Sequence, residues 1–286
     1  MTAPTNPAAP ANPAAAAARP VLSVGTQRAI ALRPRSVAVL ALTSLVGVMA
    51  YLWPFLAAAP QQGATASAHA QDAVVVMGLL LPLLVLVTAV ELGEGGFDAR
   101  AVGLLGVLTA AGAALRMAGG GVTGFSPMFF LIVLAGSVLG SGFGFVLGAT
   151  TMFASAIITG GIGPWLPFQM FAMAWIGAGA GWLPGRGTRA ELWVAAAYGA
   201  LTGIAYGALL NLWSWPFAAA GAERISYQPG AGIAETVRRY WAFYLATSLG
   251  WDLTRAVGTV VVTLLVGPPV LVALRRAAKR AHFVHS

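Results

Sequence analysis

Apolar residues fall in blocks of roughly span length, divided by short polar or glycine-rich joints. The blocks lie at about 36–57, 73–92, 101–118, 127–139, 142–159, 167–183, 190–212 and 247–274. A helix crossing a bilayer needs ~20 mostly apolar residues, so the pattern predicts about eight spans. Some blocks within 127–183 are short, which predicts helices that are tilted, interrupted or covered by neighbours. From Met117 to Gly185 the chain holds no Asp, Glu, Lys, Arg or His. A soluble domain with that surface would have nothing to offer water, whereas a bilayer favours it because charge at membrane depth is costly. The run is broken by Gly160-Gly161-Ile162-Gly163-Pro164-Trp165-Leu166-Pro167-Phe168-Gln169. Irregular backbone at membrane depth is tolerated only where it is buried in protein or lines a cavity. The insert therefore predicts a pocket.

Composition agrees with the pattern. The chain is 58% hydrophobic and 8% charged, with a mean hydropathy of +0.81, against roughly 25% charged residues in soluble domains. The 286 residues accommodate one helical bundle and its tails, without room for a soluble ATPase or kinase domain. Zero cysteines exclude disulfides, thiol nucleophiles and Cys-ligated metal. The expected class is an all-α integral membrane protein, a polytopic helical bundle. Residues 1–30 form an Ala/Pro-rich tail of the kind that stays disordered. Residues 31–98 hold two N-terminal transmembrane helices, 99–280 a core, and 281–286 a second tail. Arg28, Arg33 and Arg35, an apolar run and Ala68-His69-Ala70 imitate a cleavable signal peptide. The apolar run exceeds the roughly 7–15 residues of a signal core, so it reads as a span.

The net charge of +8 gains meaning from its placement. With eight spans, one side receives Arg19, Arg28, Arg33, Arg35, Arg100, Arg186, Arg189, Arg275, Arg276, Lys279 and Arg280. The other receives Arg116, Arg224, Arg238 and Arg239, and Arg255 lies within the last span. The positive-inside rule puts both termini in the cytoplasm of a cell-membrane protein. The basic C-terminal end then reads as a stop-transfer anchor, and no nucleic-acid partner is expected. This orientation sends the Gly160–Gln169 insert, the Arg116–Thr123 loop and the long 213–246 loop to the outer face.

The polar and aromatic residues of that face are the binding candidates: Arg116, Trp165, Gln169, Asn211, Trp213, Trp251, Asp252 and Arg255. Small-molecule sites join aromatic walls to a few convergent polar groups. Interfacial Trp and Tyr also form an ordinary belt at the lipid headgroups, and that reading applies to Trp213, Trp215, Trp241 and Tyr244 taken singly. Asp252 and Arg255 stand three apart on one helical face and are expected to pair. Gly106, Ala110 and Ala114 recur every four residues and offer a close-packing face, for a partner or for the bundle. Gly140, Gly144 and Gly148 repeat that spacing and read as internal packing. Glu91, Glu94, Asp98 and Arg100 read as a solvated turn. His282 and His285 lack a third ligand, so no metal is expected. The chain holds no nucleotide-binding loop, no zinc-protease helix and no nucleophile elbow, so it reads as a binder with no cofactor, no catalysis and no energy source of its own.

The segments Leu105–Arg116, Gly142–Ala149, Thr159–Met170 and the ending from Trp251–Arg255 through Leu274–Arg276, in that order, resemble the substrate-binding S component of energy-coupling factor (ECF) vitamin transporters. The resemblance covers roughly residues 100–280. It implies a six-helix core, here carrying two extra N-terminal helices, with a vitamin site that opens outward. It also implies closure by the 117–126, 159–167 and 213–246 loops, the same loops that the charge count sends outside. It further implies docking through Gly106, Ala110 and Ala114 onto a membrane-embedded T subunit, with two ATPase subunits driving transport by toppling of the S component in membrane lipid. A membrane scaffold that binds a partner helix or lipid, and a self-sufficient permease, are the alternative expectations.

Overall fold

The computed structural model describes residues 34–56, 78, 99–119, 124–184, 187–188, 190–218, 225–228 and 230–282. The 1–30 tail, almost all of the 73–92 block, the Glu91–Asp98 carboxylates and His285 lie outside the described residues. Among the described residues the regular secondary structure is all helix, with no strand. Its helices are α1 (Pro34–Leu56), α2 (Ala99–Ala118), α3 (Met128–Leu139), α4 (Ser141–Thr159), α5 (Leu166–Ala180), α6 (Glu191–Ala218), α7 (Ile233–Thr247) and α8 (Leu249–His282). Four of them, α2, α4, α6 and α8, are long and apolar enough to cross a membrane.

The packing has a simple plan. α3 touches α2, α4, α5, α6 and α8. Those five form a closed ring in the order α2, α4, α5, α6, α8 and back to α2. α1 lies outside the ring against α5 and α6, and α7 bridges α6 and α8 at one end. The central position explains α3. Its 12 residues span only ~18 Å at ~1.5 Å per residue, well short of a ~30 Å hydrocarbon core. Protein surrounds it: Phe129, Ile132, Val133 and Leu134 are fully buried. A helix covered on all sides need not match the bilayer.

Small residues set the tightest seam. Gly144 of α4 and Gly177 of α5 face each other so closely that a Cβ on either would overlap the other's carbonyl group. Lipid tails are as apolar as leucine, so helices in membranes associate through such close packing and hydrogen bonds. Gly148 meets the Met173 carbonyl in the same way, so the four-residue spacing at 140–148 is internal packing. The Gly106, Ala110 and Ala114 stripe differs. All three are exposed on the outer side of α2, and among the described residues nothing lies within reach of a Cβ at Gly106.

Side-chain hydrogen bonds tie α1 to the ring. Tyr51 Oη donates to the Phe168 carbonyl at 2.6 Å, and Trp175 Nε1 donates to Ser44 Oγ at 3.0 Å. The outer surface is apolar, with Val107, Leu201 and Leu265 among its most exposed residues. Exposed Trp side chains mark both ends: Trp165, Trp241 and Trp251 at one, Trp182 and Trp193 at the other. That distribution matches the two aromatic belts of a membrane bundle.

Three boundaries depart from the sequence expectation. α6 continues to Ala218 instead of stopping near 212. Pro216 sits in its last turn, and the extension is held by Trp215, which is fully buried and donates Nε1 to the Ile225 carbonyl at 2.7 Å. The stretch read as a loop to 246 contains α7, whose Tyr240, Phe243 and Tyr244 are buried. α8 runs to His282, past the expected end near 274. Its 34 residues are roughly 51 Å long, so its basic last turns extend beyond any hydrocarbon core.

Candidate functional site

All functional candidates gather at the end of the bundle where α2 finishes and α3 begins. The up-down connectivity produces this. Arg116 closes α2, Ser155 is in the last turns of α4, Gln169 is in the first turn of α5, Asn211 and Trp213 near the end of α6, and Asp252 and Arg255 near the start of α8. The opposite end carries a structural lock, the ion pair of Arg275 with buried Glu191, whose carboxylate also accepts the Gly187 N–H at 3.0 Å.

Two polar clusters occupy the candidate site. In the first, Arg116 Nη1 donates to Ser155 Oγ at 2.6 Å, and Nη2 donates to Gln169 Oε1 at 3.1 Å. The helix-breaking insert creates this contact. Gly160 closes α4 in the left-handed conformation, and the chain re-enters as α5 with Gln169 beside the end of α4. The glycine and prolines thus return a polar side chain into the bundle. Next to Gln169, the Phe168 ring stacks on Trp213, with centroids 4.9 Å apart and planes 30° from parallel.

In the second cluster, Arg255 pairs with Asp252 one helical turn earlier. Arg255 Nη1 also donates to the Gly203 carbonyl at 3.0 Å. Its guanidinium lies over the Phe129 ring at 5.7 Å and the Tyr206 ring at 5.3 Å, within cation–π range. Asp252 is 2% exposed, and its carboxylate faces Gly207 so closely that any side chain there would displace it. Arg116, Arg255 and Asp252 all lie within electrostatic reach of the Tyr206 hydroxyl, so the two clusters converge there.

α7 covers this end. The Tyr240 hydroxyl donates to the Ala208 carbonyl of α6, and the Trp215 ring meets Tyr227 and Tyr240 edge-on at 5.3 and 5.5 Å. Burial, with the adjacent Asp252 carboxylate, raises the Tyr244 hydroxyl to about 12, so it remains protonated over the physiological range. On the exposed flank of α7, Glu235 accepts from Arg238 at 2.8 Å and from Arg239 at 2.6 Å. Those bonds hold its carboxyl down at about 2.

The structure thus brings Arg116 to Gln169, Asp252 to Arg255, and Trp213 to the wall beside Gln169. The Asn211 amide nitrogen is buried without a hydrogen-bond partner among the described residues. Trp165 and Trp251 stand apart from these clusters. They are 43% and 48% exposed, and Trp165 Nε1 donates locally to the Gly161 carbonyl at 3.0 Å. Both sit with the belt residues on the outside. Sequence reasoning missed Phe129, Ser155, Phe168 and Tyr206. One signal could have revealed Tyr206: it lies between Gly203 and Gly207 in an apolar helix, small neighbours that admit a charged pair from the facing helix. Ser155 carries no such mark among Ala and Ile.

Among the described residues no group of His, Cys, Asp and Glu could hold a metal ion. Compared with known proteins, the chain matches no family model, and no curated protein and no solved structure is similar enough to count as a match.

Proposed function

We propose that this chain is the substrate-binding subunit of an ATP-driven importer of the energy-coupling-factor kind, taking a vitamin or cofactor precursor from outside the cell membrane. The observation that carries the reading is the convergence of Arg116, Gln169, Tyr206, Asp252 and Arg255 at one end of an otherwise apolar bundle. Buried ionisable groups at membrane depth are costly and mark substrate pathways. The part-buried Trp213, backed by Phe168, gives the site an aromatic side. The central α3 and its five-helix ring make up the six-helix core of this reading. α1 and the 73–92 block are its two additional spans, for eight in all, with both termini cytoplasmic. The covering helix α7 serves as the outer closure.

In this reading the chain is non-catalytic, and its partners are a transmembrane T subunit and two ATPases. The T subunit docks on α2 across Gly106, Ala110 and Ala114, which are exposed and admit close backbone approach. Co-purification and ligand-binding assays on the full chain test both halves. Gln169→Ala and Asn211→Ala lower ligand binding and leave assembly with the partners intact, while Ala110→Leu blocks assembly and leaves binding intact. Uptake into liposomes by this chain alone would instead identify a permease. A chain that binds neither small molecules nor ATPase partners would be a scaffold.

A further inference from the structure

The three described carboxylates are each engaged by an arginine other than Arg116. Glu191 pairs with Arg275, Glu235 with Arg238 and Arg239, and Asp252 with Arg255. The partners given to Arg116 are Ser155 and Gln169, both neutral. Neutral acceptors satisfy the direction of N–H groups, and among the described residues no carboxylate compensates the charge. Arg116 is part-buried, and a guanidinium held among neutral groups near the end of a span favours an anion beside it. Among the described residues of the two clusters, Arg116 and Arg255 against Asp252 leave one net positive charge. Arg255 is already saturated by Asp252, the Gly203 carbonyl and two ring faces. The open electrostatic demand therefore rests on Arg116. A guanidinium presents five N–H donors in a planar fork that matches carboxylate and phosphate, and the bonds to Ser155 and Gln169 fix the plane of that fork.

We infer that the site takes an anion, with a carboxylate or phosphate group of the bound molecule on Arg116 and its body beside the part-buried Trp213. This inference deepens the importer reading and rests on it. The same chemistry has a second source, the headgroup of an acidic lipid entering beside α2.

The test is native mass spectrometry of the full chain and of Arg116→Gln and Arg116→Lys, purified from cells grown in rich medium. Each bound species is identified by fragmentation. Melting curves of each protein without added ligand verify folding. The expected result is a soluble acid bound to the wild type, reduced about tenfold or more in Arg116→Gln, a loss equivalent to one or more charge-assisted hydrogen bonds, and largely retained in Arg116→Lys. A neutral or cationic species, or an acid equally occupied in Arg116→Gln, overturns the anion assignment while leaving the substrate-binding reading standing. An acidic phospholipid lost with Arg116→Gln supports the anion site and removes the importer reading. Benzoate and benzamide at matched ionic strength serve as a charged and an uncharged probe of one shape if nothing co-purifies. A melting shift with benzoate alone that is absent in Arg116→Gln supports the inference. Equal or absent shifts overturn it.

Discussion

The Asp252–Arg255 pair gives the sharpest test of how this bundle handles charge. Asp252 is 2% and Arg255 15% exposed at the side chain, so solvent screens the pair little. Removing one member of a buried pair typically costs ~3–5 kcal/mol because the other charge is stranded, while removing both with apolar replacements is often neutral. The surroundings make the two single losses unequal. After Asp252→Ala, Arg255 retains the Gly203 carbonyl at 3.0 Å and two aromatic faces, each face worth ~0.5–2 kcal/mol. After Arg255→Met, the Asp252 carboxylate loses its ion pair while its other oxygen already lacks a hydrogen-bond partner among the described residues, in a position with almost no solvent. Arg255→Met should therefore cost about 3–5 kcal/mol, Asp252→Ala about 1–2 kcal/mol less, and the double variant far less than the sum of the two. A double-mutant cycle on the full chain, unfolded by SDS titration and followed by tryptophan emission, measures this. Additive losses, with a coupling below ~0.5 kcal/mol, would refute the reasoning. So would Asp252→Ala proving the worse single change.

Two other predictions follow from the packing of the bundle. Gly144→Val places a branched side chain against the Gly177 carbonyl and should cost ~3 kcal/mol or more, whereas Ala110→Val on the exposed face of α2 should leave the same unfolding curve unchanged. The Glu235 carboxylate, held at about 2 against an ordinary 4.5, strengthens α7 fully above its ordinary range. That contribution is lost as pH falls from there through 2. Proteolysis of α7 should accelerate across that window, and Glu235→Gln should show the faster rate already at neutral pH.

Much of the membrane character was legible in the sequence because a bilayer imposes one-dimensional rules. Helix length and apolar content announce a span locally, so α2, α4, α6 and α8 could be read from composition alone. The Gly160–Gln169 break was equally plain, since glycine and proline act on their own backbone. The Asp252–Arg255 pair was legible because one helical turn fixes its partners. α7 was not: its apolar residues, Tyr240, Phe243 and Tyr244, gain their meaning from Trp215 and Ala208 on another helix. The end of α6 was missed for the same reason.

The sequence by itself determined that the chain is a helical membrane protein, where its helices break, and which charges share a turn. Only the tertiary structure gave each small-residue stripe its partner, because Gly144 meets Gly177 while nothing among the described residues comes within reach of Gly106. It alone joined Arg116 to Gln169, 53 positions apart in the chain, and sent Trp165 and Trp251 to the outside while drawing in Tyr206 and Ser155. The division has one physical cause. Solvent preference and backbone freedom belong to each residue and its near neighbours, whereas a site is made by side chains from different helices meeting, and nothing local encodes which helices will be adjacent.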